Sequence, residues 1–178
     1  MEGARRGAHQ GTQLPGGGGF GCGGGDIGAT LGAAGGKCHR RGYFAENGRL
    51  RPELAEKNGL ANLEFRIGDI EEPPIEDNSL DLAVLSQALH HAARPQRAID
   101  AAFRILKPGG RLIVLDLLLH TFEEARELYA DRWLGFSECE LATMLERAGF
   151  THIETVVADR ETSAPGFQTL LVIGVRPA

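Results

Sequence analysis

Apolar positions in the second half of the chain fall into two alternating periods. Leu63, Phe65 and Ile67 alternate with polar neighbours, the period-two signature of a strand over Asn62–Ile67. Leu80–Leu85 is a short apolar run with Asp81 near its start and reads as a buried strand. In Pro95–Leu106, Ile99, Ala102, Phe103 and Leu106 recur at the three- and four-residue spacing of one helix face. Lys107–Pro108–Gly109–Gly110 breaks that pattern, and Arg111–Leu117 follows as a continuous apolar strand, as in a sheet covered on both faces. Thr121 with Glu124 and Ser137 with Glu140 are two capping boxes; each predicts a helix, the second stopping at Gly149. His152–Ala158 and Gln168–Val175 read as strands, and Pro52–Asn58 before Gly59 as a helix end. The alternation is that of an α/β fold. The last two strands are joined by too few residues for a crossover helix, so the sheet is expected to end antiparallel.

Composition changes the picture at the other end. Of the 25 glycines, 17 lie in residues 1–48, and that stretch has no valine and only Leu14, Ile27 and Leu31 as large aliphatics. So few core formers cannot offset the entropy of ordering the chain. Residues 1–50 are therefore read as Gly-rich and irregular or disordered, and 51–178 as the folded domain. Net charge is -5, with Lys+Arg 19 against Asp+Glu 24, which excludes a basic nucleic-acid footprint. No apolar run approaches the ~20 residues of a membrane span, and no signal-peptide core follows Arg5 and Arg6. Cys22, Cys38 and Cys139 are odd in number and far apart, which argues against a disulfide framework or a CxxC metal site. A cytoplasmic protein is the default.

In open parallel sheets ligands bind beyond the carboxyl ends of the strands. Three segments qualify: Gly68–Ile70, Ser86–His91, and Asp116 with His120. The Asp69 carboxylate can accept a hydrogen bond from an exocyclic amine, or simply be a solvated loop aspartate. His90 or His91 can serve as a general base near neutral pH, or as a hydrogen-bonded corner histidine. No metal site is expected, because adjacent histidines on a strand point to opposite faces and no carboxylate stands beside them at ligand spacing. Cys139, in the first turn of a helix, reads as a small buried residue, and Trp133 and Phe136 as core or lid.

GDIEEPPIEDNSLDLAVLSQALHH, followed by RAIDAAFRILKPGGRLIVLD, resembles class I S-adenosylmethionine-dependent methyltransferases, with their acidic residue after one strand, proline, strand-opening Asp and R-x-L-K-P-G-G turn. DRWLGFSECELATMLERAGF and the final strand pair are similar as well, so the likeness runs from about Leu54 to Val175. It resembles the type 11 methyltransferase domains, and among them those fused to arsenic-responsive repressors, whose DNA-binding part is not seen in this sequence. The resemblance implies a Rossmann-like, doubly wound, mostly parallel sheet of seven strands, the last antiparallel and inserted between its neighbours. It implies S-adenosylmethionine as methyl donor and a small-molecule acceptor, with no nucleic-acid or membrane partner for this chain alone. Asp69 matches the residue near the adenine amine, Ile70 its apolar neighbour, and Ser86 and Gln87 the segment beside the methionine part and the acceptor. A nicotinamide-dependent oxidoreductase shares this architecture, and a non-catalytic ligand-sensing or interaction domain of the same fold is the third reading.

The family's first motif, an apolar strand, a glycine loop opening a helix and a second strand ending in an acid, is absent or degenerate. Phe20–Gly25 offers G-x-G, but Gly11–Gly19 before it is not a strand. Residues up to about 50 are read as partly out of frame. The degenerate codons of Lys37–Gly48, started one nucleotide later, permit S-A-I-A-V-D-I-S-P-K-M-V, an apolar strand ending in an acid. The nucleotide sequence tests this: codons 37–48 should give that strand in the shifted frame, and any other product there refutes the reading.

Overall fold

The computed structural model describes residues 68–178 with their side chains and, by backbone alone, the strands Gly28–Gly32, Arg40–Phe44 and Leu63–Ile67. These three are β1, β2 and β3. They are followed by β4 (Leu80–Ser86), a 3-10 turn at Leu89–His91, helix α1 (Pro95–Ile105) and β5 (Leu106–Leu117). A short helix α2 (Ala125–Leu128), helix α3 (Glu138–Ala148), β6 (Thr151–Arg160) and β7 (Gln168–Val175) complete the order. The helix end expected at Pro52–Asn58 and the Phe20–Gly25 run lie outside the described residues.

The strands form one sheet in the order β3-β2-β1-β4-β5-β7-β6. β2 pairs parallel with β3 and β4 with β5, whereas β7 runs antiparallel between β5 and β6. The expected reversal of the last strand is thus present. β1 departs from the expectation, since it runs antiparallel to both β2 and β4. Too few residues separate Gly32 from Arg40 to carry a helical crossover, so β1 and β2 can pair only as a hairpin. These two strands, Gly28–Gly32 and Arg40–Phe44, fall within the stretch read as Gly-rich and irregular or disordered.

The core lies where α1 and α3 cover β4, β5 and β7. Ala98, Ile99, Ala102 and Ile105 of α1, Leu141 and Leu145 of α3, and Leu112, Val114, Leu170 and Val172 of the sheet are all buried. Phe103 and Phe150 meet edge to face at 5.0 Å between the helices. α3 begins with the capping box that its sequence predicts: Ser137 Oγ accepts from the Glu140 N–H and a Glu140 carboxylate oxygen accepts from the Ser137 N–H. The Ser137 N–H and the Ser137 hydroxyl, which also donates to that carboxylate at 2.7 Å, hold the Glu140 carboxyl below its usual range, against the opposing effect of burial. The other predicted box does not form. α2 starts only at Ala125 with no side-chain cap, and the Phe122 N–H donates instead to His120 Nδ1. Four residues of helix cannot recover the cost of nucleation alone, so side-chain contacts decide that segment.

Lys107–Gly110 does not end an element, as the sequence suggested; it bulges within β5. Leu80 pairs with Leu106 and Leu82 with Arg111, leaving the intervening residues outside the ladder. The bulge is clamped to the end of β7 by Gly109 N–H to the Arg176 carbonyl, 2.9 Å, and Arg176 N–H to the Gly110 carbonyl, 2.8 Å. The Arg176 guanidinium donates to the Phe103 carbonyl at 2.8 Å and to the Arg104 carbonyl at 3.2 Å, and lies 4.6 Å above the Phe103 ring. A cation at the carboxyl end of α1 satisfies carbonyls that have no partner within the helix. A β-carbon on Gly110 would stand 2.8 Å from the Lys107 oxygen and 3.2 Å from the Leu80 oxygen, both backbone atoms. Gly110→Ala should therefore lower the melting temperature by roughly 2–8 °C. An unchanged thermal melt would refute this account of the bulge.

Candidate active site

β2, β3, β4, β5 and β6 point the same way, so the segments after β3, β4 and β5 share one edge of the sheet. After β3, Asp69 is exposed and one of its oxygens accepts from the Glu71 N–H at 2.8 Å. Ile70 turns inward and belongs to the core. Glu71 is buried and grips Arg94 just before α1, accepting from its backbone N–H at 2.8 Å and its Nε at 3.0 Å. This carboxylate at a helix N-terminus ties the Asp69 loop to α1. After β4, Ser86 and Gln87 are half-buried; Gln87 takes a left-handed φ of 49° and donates its N–H to the Leu115 carbonyl at 2.8 Å. The chain then curls into the turn at Leu89–His91.

The end of β5 holds that turn in place. Asp116 is fully buried and its carboxylate accepts three hydrogen bonds: from the Leu89 N–H at 2.9 Å, from His90 Nδ1 at 2.7 Å and from the Leu117 N–H at 2.8 Å. The apolar environment strengthens these bonds and would make their loss costly. Bonding through Nδ1 leaves His90 Nε2 facing the opposite way, where Asp131 Oδ1 lies 3.5 Å off. His91 Nδ1 is 3.6 Å from the same oxygen and 3.3 Å from the Ala130 carbonyl. Burial works against the His90 imidazolium, but the Asp116 hydrogen bond and the charges of Asp116 and Asp131 outweigh it, so its pKa lies above 6.5. Burial and then the charge of His90 push His91 below that value, and burial lowers His120 against the pull of Asp131.

Asp131 arrives from a distant part of the chain. Phe136 N–H bonds to the Leu117 carbonyl, Leu119 N–H to the Phe136 carbonyl and His120 N–H to the Leu134 carbonyl, folding the segment after β5 back on itself. Its tip docks on the histidine turn, where Arg132 and Trp133 N–H both donate to the His90 carbonyl, at 3.1 and 3.0 Å, and Trp133 Nε1 donates to the Ala92 carbonyl at 2.8 Å. Trp133 is thus a clamp on the turn, and Phe136 is core. Cys139, read as buried, is exposed, because the first turn of α3 faces outward. Phe167, from the loop before β7, gathers His120 at 4.6 Å, Phe122 at 6.0 Å and Tyr129 at 6.3 Å into an aromatic patch beside this cap.

The sequence reading against a metal changes on both premises. His90 and His91 sit on a 3-10 turn, not on a strand, so both can face one point. A carboxylate does stand beside them, that of Asp131, forty residues further on. Sequence gave no signal for Asp131, because only the folding back of the 118–136 segment brings it there.

Comparison with known proteins follows the same edge. A methyltransferase-domain family matches residues 19–114, more than half of the chain. The chain belongs to the class I S-adenosylmethionine-dependent methyltransferases. The match takes in the G-x-G run at Phe20–Gly25 and so extends the likeness well before Leu54, where the motifs had placed its start. The chain is 30% identical over 116 residues to an arsenite methyltransferase of Halobacterium salinarum, covering 62% of this chain and 30% of that protein. It is 38% identical over 84 residues to a ubiquinone/menaquinone biosynthesis C-methyltransferase of Ruegeria, covering 47% and 33%. It therefore spans about a third of these relatives' length. Among solved structures, a phosphoethanolamine N-methyltransferase of Haemonchus contortus with S-adenosyl-L-methionine aligns at a TM-score of 0.60 and 15% identity, covering 71% of this chain and 40% of that one. A methyltransferase of Thermotoga maritima aligns at 0.56 and 23%, covering 74% and 72%. These two show the shared fold.

The described residues fit one half of such a donor's site. The Asp69 carboxylate lies exposed at the edge, its second oxygen without a partner among the described residues, as an exocyclic amine requires. Ser86 and Gln87 bring polar groups to the next strand end. The region where the family's first motif would stand, absent or degenerate in this sequence, falls outside the residues described with side chains. Asp116 holds the histidine turn that follows these residues. In Asp116→Asn an amide N–H₂ must replace one acceptor against the Leu89 N–H, His90 or the Leu117 N–H. That change should cost about 1–3 kcal/mol in denaturant unfolding, and Asp116→Ala more. Wild-type stability in both variants would remove Asp116 from this role.

Proposed function

We propose that this methyltransferase moves the methyl group of S-adenosylmethionine to a small-molecule acceptor held over the carboxyl ends of β4 and β5. The observation that carries the reading is the meeting of Asp69, Ser86, Gln87 and the histidine turn on one sheet edge, within a chain whose family match covers that edge. The donor supplies a methyl already activated on a sulfonium, so transfer is an in-line displacement. The protein's part is then to align two reactants and keep water out. Asp69 accepts from the adenine amine, with Ile70 packed in the core behind it. Ser86 and Gln87 border the methionine end. His90 and His91 stand on the acceptor side, and the patch around Phe167 favours an acceptor with an apolar body. Relatives named for arsenite and for quinone precursors supply the first acceptors to try.

One observation favours a second reading, a ligand-sensing domain of the same fold. β1 runs antiparallel to β4, so its carboxyl end lies away from the edge where the family's glycine loop would meet the donor. Methyl transfer to any acceptor excludes that reading.

Donor binding is the direct test. S-adenosylmethionine should raise the melting temperature of the full chain, and a nicotinamide dinucleotide should not. Asp69→Ala should weaken donor affinity roughly tenfold by calorimetry, the cost of one hydrogen bond to a charged group. With labelled donor, alanine at His90 or His91 should lower turnover more than donor affinity. Equal donor affinity in folded Asp69→Ala would remove Asp69 from the site, and no thermal shift with S-adenosylmethionine would overturn the proposal.

A further inference from the structure

Three ligand-bearing side chains converge at one point beside the histidine turn. His90 Nε2 and His91 Nδ1 stand 3.5 and 3.6 Å from Asp131 Oδ1, and one ligand atom from each of the three residues lies within 4.8 Å of those of the other two. His90 and Asp131 are each only 4% exposed, and His91 is half-buried. Asp131 Oδ1 is a buried carboxylate oxygen with no hydrogen-bond partner. A buried carboxylate left in that state carries a desolvation cost that something must offset. Among the described residues no backbone hydrogen bond does so, since Arg132 and Trp133 N–H go to the His90 carbonyl and Asp131 N–H to the Ala125 carbonyl; the groups that face the oxygen are the rings of His90 and His91, 3.5 and 3.6 Å away.

We infer that His90, His91 and Asp131 form a three-ligand site for a divalent transition cation of the zinc class. Four features support it. The separations of Asp131 Oδ1 from His90 Nε2 and His91 Nδ1, 3.5 and 3.6 Å, are close to the edge of about 3.4 Å that a tetrahedron with arms of roughly 2.0–2.1 Å demands. Two imidazoles and one carboxylate are a donor set that such ions prefer. Asp116 supplies the outer partner that metal-bound histidines use, a carboxylate 2.7 Å from His90 Nδ1 that fixes the proton there and leaves the Nε2 lone pair for the ion. The ligands also come from two segments that already touch, so little ordering remains for the ion to impose. His91 binds through Nδ1 by carrying its proton on Nε2 and giving up its 3.3 Å contact with the Ala130 carbonyl.

His120 is not a fourth ligand. Its Nδ1 accepts from the Phe122 N–H, so Nε2 carries the proton and has no lone pair to offer. The fourth position is left for water or for a group of the acceptor. The ion would staple the cap at Asp131 to the turn after β4, fixing the acceptor side of the edge. The site shares His90 and His91 with the acceptor side of the proposed function but uses none of the residues assigned to the donor, so metal binding is tested separately from donor binding.

The full chain, freed of metal with a chelator, is titrated with Co²⁺ and with Zn²⁺. One equivalent of Co²⁺ should give the intense visible bands of a four-coordinate ion without a thiolate charge-transfer band, since no cysteine is a ligand. Zn²⁺ should displace it and raise the melting temperature. Asp131→Asn and His91→Ala should each weaken Co²⁺ affinity at least tenfold, and His120→Ala should leave it unchanged. His91 is half-buried and makes only one weak bond, so His91→Ala keeps the test decisive if Asp131→Asn fails to fold. Absence of stoichiometric Co²⁺ binding, a thiolate band, or affinity unchanged in folded His91→Ala overturns the inference.

Discussion

The Asp116 carboxylate is the constraint on which the edge of this sheet depends. It closes the end of β5, receives the backbone of the turn after β4 and holds one face of His90, all at zero exposure. A charge in that position is tolerated only because each hydrogen bond is made. The consequence reaches beyond the pair. The His90 carbonyl, fixed by the same turn, is the acceptor on which Arg132 and Trp133 dock, so the cap over the edge is referenced to β5 through Asp116.

The rest of the fold serves to bring that edge together. The bulge at Lys107–Gly110 lets β5 start against Leu80 and still arrive in register with Leu82, while Arg176 joins the bulge, the end of α1 and the end of β7. At the opposite edge, Glu71 ties the Asp69 loop to the start of α1. Two buried or half-buried charged groups thus fix the loops at the two ends of α1, and the apolar face of that helix fixes the distance between them.

Much of this was legible along the chain. The strands at Leu63, Leu80 and Gln168, the helix at Pro95 and the box at Ser137 each declare themselves through periods and caps that depend on near neighbours. The Thr121 box failed for the converse reason: a box is a local preference of about 0.5–2 kcal/mol, and the Phe122 N–H bond to His120 together with the packing of both rings against the distant Phe167 overrides it. The glycine-rich stretch illustrates a different balance. Composition measures how well a segment can bury itself, but a strand can be held by ladder bonds to neighbours, as β1 and β2 are.

Sequence alone determined the family and named Asp69, Ser86, Gln87 and the two histidines as candidates, because motifs and strand ends are local features. Tertiary structure alone decided the direction of β1, the burial of Asp116 and the arrival of Asp131 at the histidine turn. The physical reason is that period and spacing report which face of an element is apolar, whereas the partners of a buried charge come from whichever segments the chain folds against it. Asp131 and His90 are forty-one residues apart, and nothing near either one in sequence announces the other.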